Sequence, residues 1–189
     1  MTLFQIIMLG ASAFFAFKVY EHIQTLQDTE PEKEPNRASS FDPVSLVVKG
    51  NEAFDNGDMQ AALDFFVEAN AKESQDAEVL FKMGYILENL GDRDEALNYY
   101  KEALQKDKNN EYIHNSIASI YRANKEFVSA KMHLSDSLNI NNNNAVTYYN
   151  YGNLLVDMKH PDEAREMYKK AIEINPDFSE AKEELQKLS

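Results

Sequence analysis

The side chains able to do chemistry are few and scattered. The chain has four histidines, His22, His114, His133 and His160, and no cysteine. No two histidines stand at a spacing that makes a ligand pair on one helix, and no thiolate is available to complete a zinc set. The acidic pairs Asp94-Glu95 and Asp162-Glu163 occupy equivalent places at a turn before a helix. Carboxylates there favour the helix macrodipole, and they read as helix-start acids. No glycine-rich phosphate loop, serine elbow or zincin motif occurs. An enzyme would have to assemble its site from dispersed residues, so the expectation is no catalytic residue, no cofactor and no metal. Without cysteine there is also no disulfide, no thiolate nucleophile and no lipid attached to a cysteine.

The elements that would position these residues follow from composition and pattern. The 189 residues suggest one domain, or one domain with an appendage, and 43% hydrophobic content is enough to bury a sizeable core. Nineteen Lys and Arg against 32 Asp and Glu leave a net charge of −13. That balance argues against nucleic acid as a partner, because affinity for it comes mainly from cations neutralising phosphates. Six glycines, five prolines and no tryptophan suggest helices with few sharp turns.

The first twenty residues stand apart. Met1 to Phe17 carries no charged side chain, and the apolar run continues to Val19 and Tyr20. About twenty helical residues span roughly the 30 Å hydrocarbon core of a bilayer. Lys18, near one end, can carry its ammonium out to the headgroups. This predicts a transmembrane anchor over residues 1–20. A cleaved export signal and a buried amphipathic helix are the alternatives. The export signal lacks its basic start, and its one small-x-small site, Ala11-Ser12-Ala13, falls too early. Lys18, Lys33 and Arg37 on the C-terminal side favour a cytoplasmic body. Residues 21–42, with Pro31 and Pro35 among acids, read as a flexible acidic linker, with a docking motif as the alternative.

Beyond the linker the sequence repeats. Gly84 to Ala103 aligns with Gly152 to Ala171 at an offset of 68, twice 34, with Asp94-Glu95-Ala96 matching Asp162-Glu163-Ala164. Moving by 34 in either direction yields four gapless units, 43–76, 77–110, 111–144 and 145–178. Each reads as two helices joined by a tight turn. The eighth position is small (Gly50, Gly84, Ala118, Gly152) and the twentieth is alanine (Ala62, Ala96, Ala130, Ala164). The twenty-fourth is bulky (Phe66, Tyr100, Leu134, Tyr168) and the twenty-seventh small again (Ala69, Ala103, Ser137, Ala171). In the second helix this spacing is the stripe of a face buried on one side. Pro176 ends the last second helix.

This pattern resembles the tetratricopeptide repeat family over residues 43–178, with a C-terminal capping helix over 179–189. The resemblance implies an all-α fold, a right-handed solenoid of helix-turn-helix repeats. Lys49, Asn70 and Lys72 in unit one and Lys125 and Lys159 at the turns depart from the family pattern. His114, at a position usually given to a large residue, reads as a core or groove-edge histidine.

By the same resemblance, certain first-helix positions of each unit line a concave groove. They supply a candidate peptide-binding set: Asn51, Phe54, Phe81, Lys82, Tyr85, Tyr112, Asn115, Arg122, Tyr149, Asn150 and Asn153. Carboxamides carry a donor and an acceptor suited to a peptide backbone. The aromatics offer flat apolar area of the kind that dominates binding energy, or else pack between helices. Lys82 and Arg122 are cations able to favour an acidic partner, and all of these groups are expected to face solvent. The opening Lys49-Gly50-Asn51-Glu52-Ala53-Phe54 is similar to a subfamily that grips C-terminal carboxylates, but only Asn51 matches its clamp. Val47 stands in place of the first clamp lysine, Lys82 in place of an asparagine.

The resulting expectation is a non-enzymatic adaptor, anchored through residues 1–20, that presents its groove to a protein or peptide. Two alternatives remain: an assembly factor acting through an acidic convex face, and an exported soluble binder.

Overall fold

The computed structural model describes residues 42–188. Among the described residues there are nine helices and no strand. They are α1 (Pro43–Asp55), α2 (Met59–Lys72), α3 (Ala77–Leu90), α4 (Arg93–Lys106), α5 (Glu111–Ala123), α6 (Phe127–Ile140), α7 (Ala145–Asp157), α8 (Pro161–Ile174) and α9 (Ser179–Lys187). Helix starts recur at the sequence period of 34, at residues 43, 77, 111 and 145 and at 59, 93, 127 and 161. The expected anchor over 1–20, and the linker apart from Asp42, lie outside the described residues. Among the described residues, no helix is long and apolar enough to cross a membrane.

Each pair folds back on itself and is packed most densely within the pair. The cause is the small-against-bulky pattern. Ala62, Phe66 and Ala69 on α2 are fully buried, as are Ala96, Tyr100 and Ala103 on α4 and Ala164, Tyr168 and Ala171 on α8. The first helices contribute a second layer, with Leu80, Met83 and Ile86 on α3 and Ile113, Ile117 and Ile120 on α5 buried in turn. Helix α9 closes the array. Its Ala181 is buried, and Leu185 and Leu188 pack on the cluster around Leu155 and Tyr168. An end unit needs such a lid because each repeat buries its apolar face only against a neighbour.

The turns within a pair come in two chemistries. Units one and two use Gly57-Asp58 and Gly91-Asp92, with the glycines at φ +80° and +92°. The aspartates cap the next helix, Asp58 accepting from Ala61 N and Asp92 from Glu95 N, both at 3.1 Å. Units three and four place Lys125 and Lys159 in the same left-handed region, at φ 62° and 67°. Glu126 and His160 follow, and neither makes a side-chain cap hydrogen bond. The backbone bonds that close the turn are nonetheless the same: Asp92 N donates to Leu87 O and Glu126 N to Tyr121 O, at 2.9 and 2.8 Å. An L-residue in that region costs about 1–2 kcal/mol, part of which glycine's own entropy returns. A missing cap costs about 1 kcal/mol. The double substitution Lys125→Gly with Glu126→Asp is therefore expected to stabilise the protein by about 1–2 kcal/mol. A chemical-denaturation midpoint no higher than wild type would contradict this account of the turn.

Candidate functional site: the face of the first helices

The first helices of units two, three and four share one open face. A hollow of about 450 Å³ lies there, lined by Phe81, Tyr85, Glu88 and Asn89 from α3, Tyr112, Asn115, Ser116 and Ser119 from α5, and Val146 and Asn150 from α7. Five of the residues picked out in the sequence meet in it: Phe81, Tyr85, Tyr112, Asn115 and Asn150. Tyr85, Tyr112 and Val146 are the exposed apolar groups, at 43%, 59% and 47% accessibility. Phe81 is half-buried and tilts against Tyr100 with ring centroids 5.4 Å apart. Among the described residues, no cation lines the hollow. Glu88 is its acid, and the Tyr100 hydroxyl donates to Glu88 Oε2 at 2.9 Å. Burial pushes the Glu88 carboxyl above the usual carboxylate range and the Tyr100 phenol above its own.

The polar residues of the set have partners within the protein, and Asn115, expected to face solvent, is buried instead. Asn115 is 6% exposed. Its Nδ2 donates to Thr147 Oγ1 at 2.7 Å and to Ser137 Oγ and Glu111 O at 2.9 Å each. Its Oδ1 accepts from Asn150 Nδ2 at 3.2 Å. Asn153 Oδ1 accepts from the Tyr168 hydroxyl at 2.8 Å. Replacing Asn150 or Asn153 thus removes internal hydrogen bonds, and both substitutions carry a stability cost.

The cations are also partnered. Lys82 Nζ lies 2.8 Å from both Asn51 Oδ1 and Glu78 Oε1, and 5.8 Å from the centroid of the Phe54 ring. Phe54 in turn meets Tyr85 edge-on at 5.9 Å. Arg122 Nη1 lies 3.1 Å from Asp157 Oδ2. Tyr149 is enclosed between Tyr168 and Phe178, at 6.0 and 5.0 Å. Asn51–Lys82, Asn115–Asn150 and Arg122–Asp157 each join the first helix of one unit to the first helix of the next. Much of the polar capacity expected for a ligand therefore ties neighbouring repeats together.

The sequence reading missed a second cluster. The fold brings His114 on α5 and His133 on α6 together, Nδ1 to Nδ1 at 3.0 Å, with Asp136 Oδ2 3.9 Å from His114 Nδ1. Burial, then the neighbouring His114, hold the His133 imidazole below its ordinary range. His133 and Asp136 stand three apart on one helix, a spacing that was visible in the sequence. The contribution of His114 from another helix was not.

Family models described as tetratricopeptide repeat match residues 77–110 and residues 145–178. The two matched segments coincide with units two and four of the repeat. The solved structures extend that fold over the described array. The MamA protein superposes with a TM-score of 0.69 at 22% identity, covering 77% of this chain and 80% of that one. YrrB, described as a TPR protein with an unusual peptide-binding site, gives 0.70 at 21% identity over 76% of this chain and 74% of its own. The first TPR domain of Spaghetti (RPAP3), solved with the HSP90 peptide SRMEEVD, gives 0.57 at 27% identity over 59% of this chain and 89% of its own. No curated protein matches the sequence. The tetratricopeptide solenoid is thus shared with proteins whose sequences differ at most positions.

Proposed function

We propose that the chain is a non-enzymatic adaptor that receives a protein segment across the first helices of repeats two to four, and that residues 1–20 hold it at a membrane. The observation that carries the binding reading is the hollow itself. Three successive repeats leave Tyr85, Tyr112 and Val146 exposed around one concavity while almost every polar neighbour is internally bonded. Exposed aromatics on a rigid scaffold are the groups that supply binding energy at little entropic cost. The peptide bound by the RPAP3 domain and the peptide-binding site ascribed to YrrB support a groove-type partner. A carboxylate clamp is a poor fit, since Lys82 and Arg122 already hold Glu78 and Asp157. The segment received is one that buries apolar side chains against the tyrosines. The anchor reading rests on the uncharged run Met1 to Phe17. An anchor confines the repeats near the bilayer while the linker lets them search, which raises effective concentration.

A photo-crosslinking residue tests both parts. Placed at Tyr112 in the full chain, it is expected to give a discrete adduct in the membrane fraction. The same probe at Val128, 86% exposed on α6, is expected to give none. Adducts at Val128 alone would move the function to the other helices, where Val128 and Met132 form an exposed apolar pair. Recovery of the intact chain in the soluble fraction would remove the anchor.

A further inference from the structure

We propose that His114, His133 and Asp136 form a binding site for one divalent transition-metal ion of the zinc class, clipping α5 to α6 within the third repeat. The groove does not use these residues, and none of them lines the hollow. Their ligand atoms all lie within 4.8 Å of one another. Zinc–nitrogen bonds of about 2.0–2.1 Å in a tetrahedron place two imidazole nitrogens about 3.3 Å apart. The His114 and His133 Nδ1 atoms are 3.0 Å apart, so a few tenths of an ångström of ring movement admits an ion between them. Asp136 lies one turn along α6 from His133, and its side chain is 46% exposed, free to swing its carboxylate inward.

The chemistry of the donor set fits as well. Two imidazoles and a carboxylate suit zinc and its first-row neighbours and leave a fourth position for water. In the metal-free pair the two Nδ1 atoms share a single proton, one ring donating and the other accepting. Binding moves that proton to Nε2 of the same ring, so both imidazoles stay neutral and each offers Nδ1 to the ion. His114 is 7% exposed, which removes competing water from one side. The ring of Tyr121, stacked 5.7 Å from His133, holds that imidazole in place. Lys101, whose ammonium sits 5.6 Å from the Tyr121 ring centroid, is the opposing charge, and the Asp136 carboxylate offsets it. An ion here bridges the two helices of the repeat in which Ala118 and Leu134 replace the glycine and aromatic of the other three.

The test titrates zinc chloride into the full chain by calorimetry, with cobalt chloride followed by visible absorption to report histidine and carboxylate ligation. Saturation at about one equivalent, with a thermal midpoint raised by several degrees and restored by a chelator, is expected. His133→Gln should abolish the saturable event while the protein keeps its helical signal. Asp136→Asn should weaken it by roughly tenfold or more. His114 is buried, so His133→Gln carries the test if His114→Gln fails to fold. His22→Gln and His160→Gln should change nothing. Absence of saturable binding in the wild type, or its loss on removing His160, which pairs with Glu163 at 2.9 Å, overturns the proposal.

Discussion

Replacing Gly84 with alanine is expected to destabilise the protein by about 3 kcal/mol, a large effect for a single added methyl group. A β-carbon built on Gly84 would lie 2.6 Å from both Cδ1 and Cε1 of Tyr100, inside any real carbon–carbon contact. Tyr100 cannot retreat. It is fully buried, its hydroxyl is held by Glu88, and Phe81 leans on its ring. Gly50 meets Phe66 and Gly152 meets Tyr168 in the same way, at 2.5 Å. The third repeat shows how the clash is relieved, because there the eighth position is alanine and the twenty-fourth is the smaller Leu134. The cost of Gly84→Ala should therefore shrink when Tyr100 is replaced by leucine. A double-mutant cycle in denaturant is expected to return a coupling of about 1–3 kcal/mol. Additive effects would show that the two positions do not compete for the same space.

Asn115→Leu should cost about 2–3 kcal/mol, although the side chains are close in size. Leucine deletes the donors that satisfy Glu111 O, Ser137 Oγ and Thr147 Oγ1 and takes the acceptor from Asn150. Ser137 and Thr147 are both fully buried, and hydroxyls left without their full complement of partners there are penalised. These groups lie on α5, α6 and α7, so the loss should fall at the junction of repeats three and four. Repeat stability sums over nearest neighbours, and native-state hydrogen exchange should show α7 to α9 losing more protection than α1 to α4. Uniform loss along the array, or none, would mean that Asn115 is a surface residue in practice.

Much of this architecture is legible before folding, and the reason is geometric. A period of 34 with a small eighth residue and a bulky twenty-fourth describes a contact between two helices of one repeat. Volume alone decides that contact, and volume is a property of residue type. The clustering of Phe81, Tyr85, Tyr112, Asn115 and Asn150 around one hollow follows from the same period, since equivalent first-helix positions of successive repeats stack side by side.

The state of those residues is another matter. Residue type assigns Asn115 and Asn150 hydrogen-bonding capacity without saying who uses it, and the structure assigns that capacity to each other and to Ser137 and Thr147. Lys82 and Arg122 are cations in the sequence, but whether each faces a ligand or an acid depends on the rotamers of Glu78 and Asp157. His114 and His133 are nineteen residues apart, too far for a helical pattern, and only the pairing of α5 with α6 brings their nitrogens to 3.0 Å. Steric fit repeats with the sequence and can be read from it. Hydrogen bonds and ion pairs depend on direction and on tenths of an ångström, and those come into being only when the helices have packed.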